Sequence, residues 1–165
     1  MTTPNDIDRL VLQATRLRFP RFDENTAWAL AARLRDDAAA RGTPVAVEVR
    51  LGGHTVVYFA MPGTSPAHAD WARRKRNTAE LMHKASYLVG REFEGGDHTL
   101  ETLMGLPLRD HCDHGGAVPL VVDGVGQVGV VTVSGLPQRE DHEMAVAAIA
   151  ALCGVPLAEV ALDPP

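Results

Sequence analysis

The sequence predicts an α+β domain in which helices pack on one antiparallel β-sheet. Valine-rich runs fill two segments, 45–61 and 116–134, and a glycine-rich turn divides each of them, which is the pattern of a β-hairpin. Stretches with helical patterning precede, separate and follow the two hairpins. Hairpins separated by helices are typical of a single antiparallel sheet covered by helices, here of the profilin-like or PAS-like kind.

The first hairpin follows a helix with clear start and stop signals. Asp23 is a good N-cap, and the helix is predicted to run to about Arg41, with Gly42 at its end. Valines alternate with polar or small residues over 45–51, and a second strand is predicted over 54–61. The two-glycine turn between these strands has the length of a tight hairpin loop.

A longer helix is predicted after the first hairpin. Ser65 followed by Pro66 is typical of a helix start, and the pattern continues as far as Gly90. Such a helix would span about 36 Å, which is longer than a small domain is wide. We therefore expect it either to break or to lean on another subunit. Residues 91–113 are predicted to be irregular apart from a short helix over 99–104.

The second hairpin is predicted to lie in the middle of the sheet. Its strands, 118–123 and 128–134, are apolar on both faces, as expected for strands that are covered on both sides. A helix is predicted over 138–152, with Gly154 just beyond its end. From Met144 onward this helix is apolar all round, so it is buried in the core or in a subunit contact. A homo-oligomer is expected on this ground and on the length of the preceding helix.

Composition limits the classes of function. The chain has 165 residues, 45% of them hydrophobic, so we expect a single domain over 1–165 with a substantial core. Its net charge of −5 argues against nucleic acid as a partner. No apolar run approaches the roughly 18 residues of a membrane span, and the first twenty residues do not resemble a signal peptide. Two cysteines make no disulfide framework, so a cytoplasmic location is expected.

A basic run on the predicted long helix, Arg73 to Arg76, admits two interpretations. It is either a solvated helix face, with Asp70 and Arg74 paired across one turn, or a clamp for a carboxylate, propionate or phosphate group. Trp71 and Lys75 lie four residues apart on one face of the helix. This spacing allows the ammonium group of Lys75 to lie over the indole ring.

Histidines cluster just before the second hairpin. His111, Cys112 and His114 contain metal-binding residue types, but their spacing matches no strong zinc motif, so no metal site is predicted. His114 precedes two glycines, which leave room for a ligand or for another backbone segment beside it. It is either a structural histidine that bonds to the backbone or a ligand-binding one.

Ser134, Asp141 and His142 are the residue types of a hydrolase triad but lack its arrangement. Asp141 and His142 are adjacent on a helix and point about 100° apart, so they do not pair directly. Ser134 does not lie in the Gly-x-Ser-x-Gly turn of hydrolases. No catalytic residue is therefore assigned. The carboxylates are expected to cap the helix, and a histidine at a helix N-terminus is biased toward the neutral imidazole.

Three segments carry a resemblance to a known family. WARRK (71–75), HGGAVPL (114–120) and VSGLPQREDH (133–142) resemble the UPF 0303 proteins, which belong to the haem-degrading-domain superfamily together with GlcG-like and HbpS-like proteins. The match extends from about Leu17 to Leu152. The resemblance implies a profilin-like fold, higher-order homo-oligomers and binding of a tetrapyrrole or another cofactor, without implying one reaction for this branch.

A ligand pocket is predicted where the three segments meet. His114 precedes one strand of the second hairpin and Ser134 ends its partner, so the two lie side by side, and the next helix begins close by. The pocket offers cations for an anionic group and glycines for close backbone approach. The predicted ligand-binding residues are Arg73, Lys75, His114, Gly115, Gly116, Ser134, Gly135 and His142.

Three classes of function agree with this pocket. The first is binding of a small molecule or a tetrapyrrole, with haem as the candidate cofactor. The second is an enzyme that acts on a small anionic metabolite. The third is an oligomeric scaffold that binds another protein. Residue types and spacing alone favour neither a particular cofactor nor a particular reaction.

Overall fold

The two predicted hairpins pair edge to edge in the structure, a computed structural model that describes residues 6–165. Residues 1–5, part of the stretch considered for a signal peptide, lie outside this description. The helices and strands of the described residues are α1 (Asp6–Arg16), α2 (Glu24–Arg41), β1 (Ala46–Leu51), β2 (His54–Ala60), α3 (Pro66–Met82), α4 (Ser86–Phe93), α5 (Leu100–Met104), β3 (Ala117–Val122), β4 (Gly126–Ser134), α6 (Gln138–Cys153) and α7 (Leu157–Val160). None of the helices in this part of the chain has the length and apolar character needed to cross a membrane.

The sheet formed by the described residues has the strand order β2-β1-β4-β3, and every neighbouring pair is antiparallel. Both predicted hairpins are therefore confirmed. The hairpins meet through β1 and β4, for example where Val47 pairs with Val133. β3 lies at one end of the sheet, so the prediction that both strands of the second hairpin are central is wrong for β3. Pro119 suits that position, because an outer strand tolerates a missing N–H.

Helices cover both faces of the sheet, which explains why even the outer strand β3 is apolar on both sides. On one face, α2 and α6 pack against alternating valines, and Leu30, Leu34 and Ile149 are buried in this main core. On the other face, α3 contributes Ala79 to a smaller apolar cluster with strand residues such as Val130. The same face is polar at the first hairpin, where side chains of β1 form ion pairs with α3.

The predicted long helix breaks, which confirms one of its two expected alternatives, because the chain leaves the helical path at His83. α3 ends at Met82, His83 adopts the left-handed conformation with φ of 52°, and α4 begins at Ser86. The buried Ser86 hydroxyl oxygen accepts a hydrogen bond from the Ala117 N–H at 3.1 Å. The break therefore fixes the start of α4 against the start of β3.

The apolar surface of α6 is explained within the chain itself. This helix contacts α2, α4, α7 and both strands of the second hairpin, so most of its apolar residues have intramolecular neighbours. Neither the surface of α6 nor the length of α3 then requires a second subunit. The homo-oligomer remains a prediction, but its two grounds in the sequence no longer support it.

Candidate functional site

A polar cleft of about 220 Å³ opens between the first turns of α3 and α6, beside the end of β4. The residues that line it are His68, Trp71, Lys75, His114, Ser134, Gly135, Leu136, Gln138 and Asp141. The antiparallel pairing of β3 with β4 brings the segment before β3 close to the end of β4, as the sequence predicts. Four of the predicted site residues therefore meet in one cleft: Lys75, His114, Ser134 and Gly135.

A buried ion pair forms the inner wall of this cleft. Lys75 Nζ donates to Asp141 Oδ2 at 2.7 Å and to the carbonyl oxygen of Val133 at 3.3 Å. Asp141 also accepts hydrogen bonds from the backbone N–H groups of Gly135 at 3.4 Å and Leu136 at 3.0 Å. The side chains of Lys75 and Asp141 are only 5% and 1% exposed. The positive charge of Lys75 is thus neutralised inside the protein and is not free to attract an anion.

Burial and pairing act in opposite directions on the carboxyl group of this pair. Burial raises the pKa of Asp141 above its ordinary value, while Lys75 and the two backbone N–H groups lower it. Asp141 was expected only to cap α6, and the structure gives it a second role as the counter-ion of Lys75. The signal in the sequence was its place in the first turn of a helix that follows a strand, but the partner lies 66 residues away.

The glycines of the predicted site make room for protein atoms. Gly116 has a φ of +136°, and an added Cβ would lie 2.4 Å from the carbonyl oxygen of Val133 and 2.9 Å from Lys75 Nζ. At Gly115 an added Cβ would lie 2.4 Å from the carbonyl oxygen of Gln138. Neither glycine is among the described residues that line the cleft. The predicted close approach at these glycines is confirmed. The atoms that approach them belong to the protein itself, around Lys75 and at the start of α6.

An aromatic pair forms another wall of the cleft. The rings of Trp71 and His114 stack with centroids 5.1 Å apart and an angle of 24° between their planes. The cation over the indole is Arg74, whose guanidinium carbon lies 4.6 Å from the ring centroid, and Lys75, which the spacing also allowed there, pairs with Asp141 instead. Burial, together with Lys75 and Arg74, lowers the pKa of His114, although Asp113 acts against them. The imidazole is therefore neutral at neutral pH.

Arg73 lies outside the cleft, so its predicted place in the pocket is wrong. Its guanidinium group donates to Asp110 at 2.8 Å, to Asp70 at 3.2 Å and to the carbonyl oxygen of Arg109 at 2.8 Å. Asp70 pairs with Arg73 and Arg109, while Arg74 donates to the carbonyl of Leu108, so the predicted pair of Asp70 with Arg74 is also wrong. Arg73 and Arg74 therefore hold the segment that follows α5, which supplies the carboxylate of Asp110.

His142 also lies outside the cleft. It follows Asp141 by one residue, and adjacent helical side chains point about 100° apart, so one enters the cleft and the other faces away. His142 is fully buried and forms a hydrogen bond between Nε2 and Gln13 Oε1 at 2.9 Å. Burial and the nearby charge of Arg139 lower its pKa to about 3, which agrees with the predicted neutral imidazole. Ser134 and Asp141 thus share the cleft without a triad histidine from this helix.

Residues 22–150 match the family model described as Haem degrading protein HbpS-like. A UPF0303 protein of Azotobacter vinelandii is 44% identical over 163 residues, which cover 99% of this chain and 98% of that protein. The chain belongs to the HbpS-like family. The resemblance predicted from the three segments is confirmed, including its UPF0303 branch.

Solved structures confirm the α+β fold of this HbpS-like chain. The Ybr137w protein superimposes with a TM-score of 0.84 at 26% identity, over 92% of this chain and 90% of that one. The PduOC protein in its haem complex superimposes with a TM-score of 0.68 at 24% identity, over 79% of this chain and 94% of that one.

The segments that resemble UPF0303 proteins meet at the cleft of this HbpS-like chain. Among the described residues, every lining residue except His68 comes from 71–75, 114–120 or 133–142. His68 lies one turn before Trp71 on α3, and its side chain accepts the Ser65 backbone N–H at the start of that helix. The three segments therefore meet at one cleft, although four of the eight predicted residues, Arg73, Gly115, Gly116 and His142, do not line it. A role for the cleft in ligand binding stays a prediction.

We expect replacement of Lys75 by methionine to destabilise the fold strongly. Lys75→Met keeps much of the side-chain volume but leaves the Asp141 carboxylate buried without its cation. Breaking a buried ion pair in this way costs about 3–5 kcal/mol. Denaturant unfolding at neutral pH measures the change in the free energy of unfolding.

Lys84→Met is the matched control for this measurement. Lys84 pairs with Glu92 at 2.8 Å, but their side chains are 41% and 35% exposed. An exposed ion pair is worth about 0–1 kcal/mol, so the control should lose little. Equal losses in the two variants would contradict the structural importance of the buried pair.

Buried His142 is expected to make folding stability fall as the pH is lowered. Its pKa is about 3 in the folded protein against 6.5 for the free side chain, so between these values the unfolded state binds one more proton. The contribution of His142 to folding stability is complete above pH 6.5 and is lost as the pH falls toward about 3. The slope is about 1.4 kcal/mol per pH unit, and His114 adds to it in the same direction.

Denaturant unfolding across this pH range tests the assignment. His142→Gln should flatten the dependence, because glutamine does not titrate and retains an N–H donor for Gln13. His54→Gln, at the exposed start of β2, should leave the slope of the parent unchanged. A His142→Gln variant with the slope of the parent would show that another group is responsible.

Proposed function

We propose that the protein binds a planar small molecule at the polar cleft, with haem as the first candidate. The observation that carries this proposal is the neutral imidazole of His114 in the cleft, stacked on Trp71, whose side chain is partly exposed. Aromatic side chains supply large apolar contact areas, and neutral imidazole is a common metal ligand. Membership in a family described as haem degrading supports the choice of haem, and the PduOC neighbour was solved in a haem complex.

The size of the cleft sets a condition on how haem fits. Sites for drug-sized molecules usually measure about 300–1,000 Å³, and this cleft measures about 220 Å³. A tetrapyrrole is larger than the cleft, so only part of it fits inside. Trp71 would contact the macrocycle, and His114 would supply a nitrogen for the iron. When bound, haem would supply iron-centred redox chemistry.

Polar groups within the cleft suit the carboxylate of such a ligand. Gln138 Oε1 accepts the N–H of Gly115 at 3.0 Å, so the NH₂ end of the same amide is the end turned toward other partners. The Ser134 side chain also lines the cleft. Because Lys75 is neutralised by Asp141, these groups bind a carboxylate by hydrogen bonds more than by net charge. We propose that the residues of the cleft orient the ligand in this way.

The size and polarity of the cleft favour a second candidate, an enzyme acting on a small anionic metabolite. A cleft of about 220 Å³ with mostly polar lining residues encloses a small metabolite more completely than it encloses a tetrapyrrole. Neutral His114 is suited to accept a proton, and Ser134 and Gln138 are suited to hold the substrate oxygen atoms. Under this candidate, turnover requires no iron.

A haem titration followed by absorbance spectroscopy tests the first candidate. The parent protein should bind haem with a shifted Soret band. His114→Ala should abolish that shift because the iron loses its nitrogen ligand. Trp71→Ala should weaken binding by about 2- to 10-fold, since one aromatic contact is worth about 0.5–1.5 kcal/mol.

His54→Ala is the matched control, because His54 is exposed and lies outside the cleft. It should bind haem like the parent. A parent spectrum that does not respond to haem, or a His114→Ala spectrum identical to that of the parent, would contradict haem binding at the cleft. A thermal shift of the parent with small mono- and dicarboxylates would then favour the second candidate.

We further propose that the protein forms a homo-oligomer through the segment around α5. Leu103, Met104 and Leu108 are 57%, 43% and 53% exposed within six positions of the chain. Large apolar side chains that are exposed together usually mark a contact surface. Copies of the same chain are the expected partner, since homo-oligomers are the commonest assemblies.

Light scattering on the purified protein tests this assembly. The parent should have a mass that is a multiple of the 17.7 kDa of one chain. Leu103→Glu should shift the mass toward that of one chain, because a charge in an apolar contact is costly to bury. Val125→Glu, in the exposed turn between β3 and β4, is the control and should keep the mass of the parent. A parent mass of one chain at micromolar concentration would refute the proposal.

A further inference from the structure

A second cavity, of about 320 Å³, lies between α1, the start of α4 and β3, on the side of α6 that faces away from the cleft. Its walls are largely apolar, and side chains such as Leu10, Leu17, Leu88 and Val118 line it. Its volume is within the range of about 300–1,000 Å³ that is usual for small-molecule sites. Its polar lining residues include Gln13, Gln127 and His142.

The hydrogen-bonding character of His142 in this cavity is fixed by a chain of contacts. Gln13 Nε2 donates to the carbonyl oxygen of Val160 at 2.8 Å, which determines the orientation of the Gln13 amide. Its Oε1 therefore faces His142 Nε2 at 2.9 Å and must accept from it. The proton of the neutral imidazole is thus on Nε2, and Nδ1 is a bare acceptor. Nδ1 is buried and has no partner among residues 6–165.

Gln127 adds a second acceptor of the same kind. Its Nε2 donates to the carbonyl oxygen of Ala79 at 3.4 Å, which leaves Oε1 as the other end of the amide. Oε1 is buried and has no partner within the described residues. A buried acceptor without a donor is costly, and native proteins rarely leave one without a partner or a functional reason. Two residues that line the cavity therefore each carry a buried acceptor without a partner among the described residues.

The charged residues of the cavity already have partners. Lys84 donates to Glu92 at 2.8 Å, and Arg18 donates to the carbonyl oxygen of Thr15 at 3.3 Å and lies 4.0 Å from Asp123. A charged ligand would therefore bury its charge among apolar side chains without a free counter-ion. These compensated charges favour a neutral ligand.

We infer that this cavity is a binding site for a small, neutral, mainly apolar molecule with at least one O–H or N–H donor. The apolar lining selects the body of the ligand, and the acceptors of His142 and Gln127 select its donor. The site is separate from the polar cleft and does not depend on the proposal of haem binding. Phenol is the simplest probe of this class, and toluene is its match without the donor.

Titration of the methyl-labelled protein with phenol, followed by NMR, tests the site. Phenol should bind and shift the methyl signals of Leu88 and Val118. Toluene should bind about tenfold more weakly, because it leaves the acceptors without a donor. No binding of phenol at millimolar concentration, or equal affinity for toluene, would overturn the inference.

A pair of variants on α1 tests the location. Ala14 lines the cavity from a partly exposed helix face, so Ala14→Phe should fill its opening and abolish phenol binding. Val11→Phe introduces the same ring on the same helix at an exposed position that does not line the cavity, and it should bind like the parent. Phenol affinity in Ala14→Phe equal to that of the parent would overturn the location. In the parent protein, the phenol-induced shifts of the Leu88 and Val118 methyl signals locate the binding site without any variant.

Discussion

The buried ion pair between Lys75 and Asp141 is the interaction on which the geometry of the cleft depends. Lys75 belongs to α3 on one face of the sheet, and Asp141 belongs to α6 on the other, so the two side chains meet just past the end of β4. Each charge would be costly to bury alone, and the pair therefore fixes the distance between the two helices. The backbone N–H groups that donate to Asp141 extend this constraint to the turn between β4 and α6.

The glycines next to this pair explain why the surrounding sequence is so restricted. A side chain at Gly116 would collide with Lys75 and with the Val133 carbonyl, and one at Gly135 would lie 2.5 Å from the carbonyl oxygen of Pro44. The Gly-Gly and Ser-Gly motifs are thus required by the close packing of backbone and lysine. In the sequence alone, the same motifs also indicate room for a ligand, because a ligand and a closely packed backbone segment both require the absence of a Cβ.

Local patterns predicted most of the fold, and long-range contacts decided the rest. The strands and the cap at Asp23, which the structure completes as a capping box with Thr26, depend on neighbouring residues and were predicted from them. The exact position of the break at His83 was not predicted, and the segment after it is held by a long-range contact between Ser86 and Ala117 that no helical pattern reveals. The meeting of the three segments was predictable because hairpin pairing brings their strand ends together.

Individual site residues were harder to predict, because their roles depend on distant partners. Arg73 and Lys75 belong to one basic run, yet the first meets Asp110 at the surface and the second meets Asp141 in the interior. Which of the two cations becomes buried depends on the rotation of α3 about its own axis relative to the sheet. The sequence of the helix does not determine that rotation. The missed Asp141 and the misplaced His142 follow from the same kind of uncertainty on α6.

Adjacent residues of α6 therefore serve two chemically different cavities. Asp141 completes the polar cleft, whereas His142 lines an apolar cavity closed by α1. The acceptor character of His142 depends on Gln13, which in turn depends on the Val160 carbonyl in α7. Gln13 and Val160 both lie outside residues 22–150, the range that matches the HbpS-like family model. The common domain thus supplies the polar cleft, and the flanking helices give the second cavity its volume and its hydrogen-bonding preference.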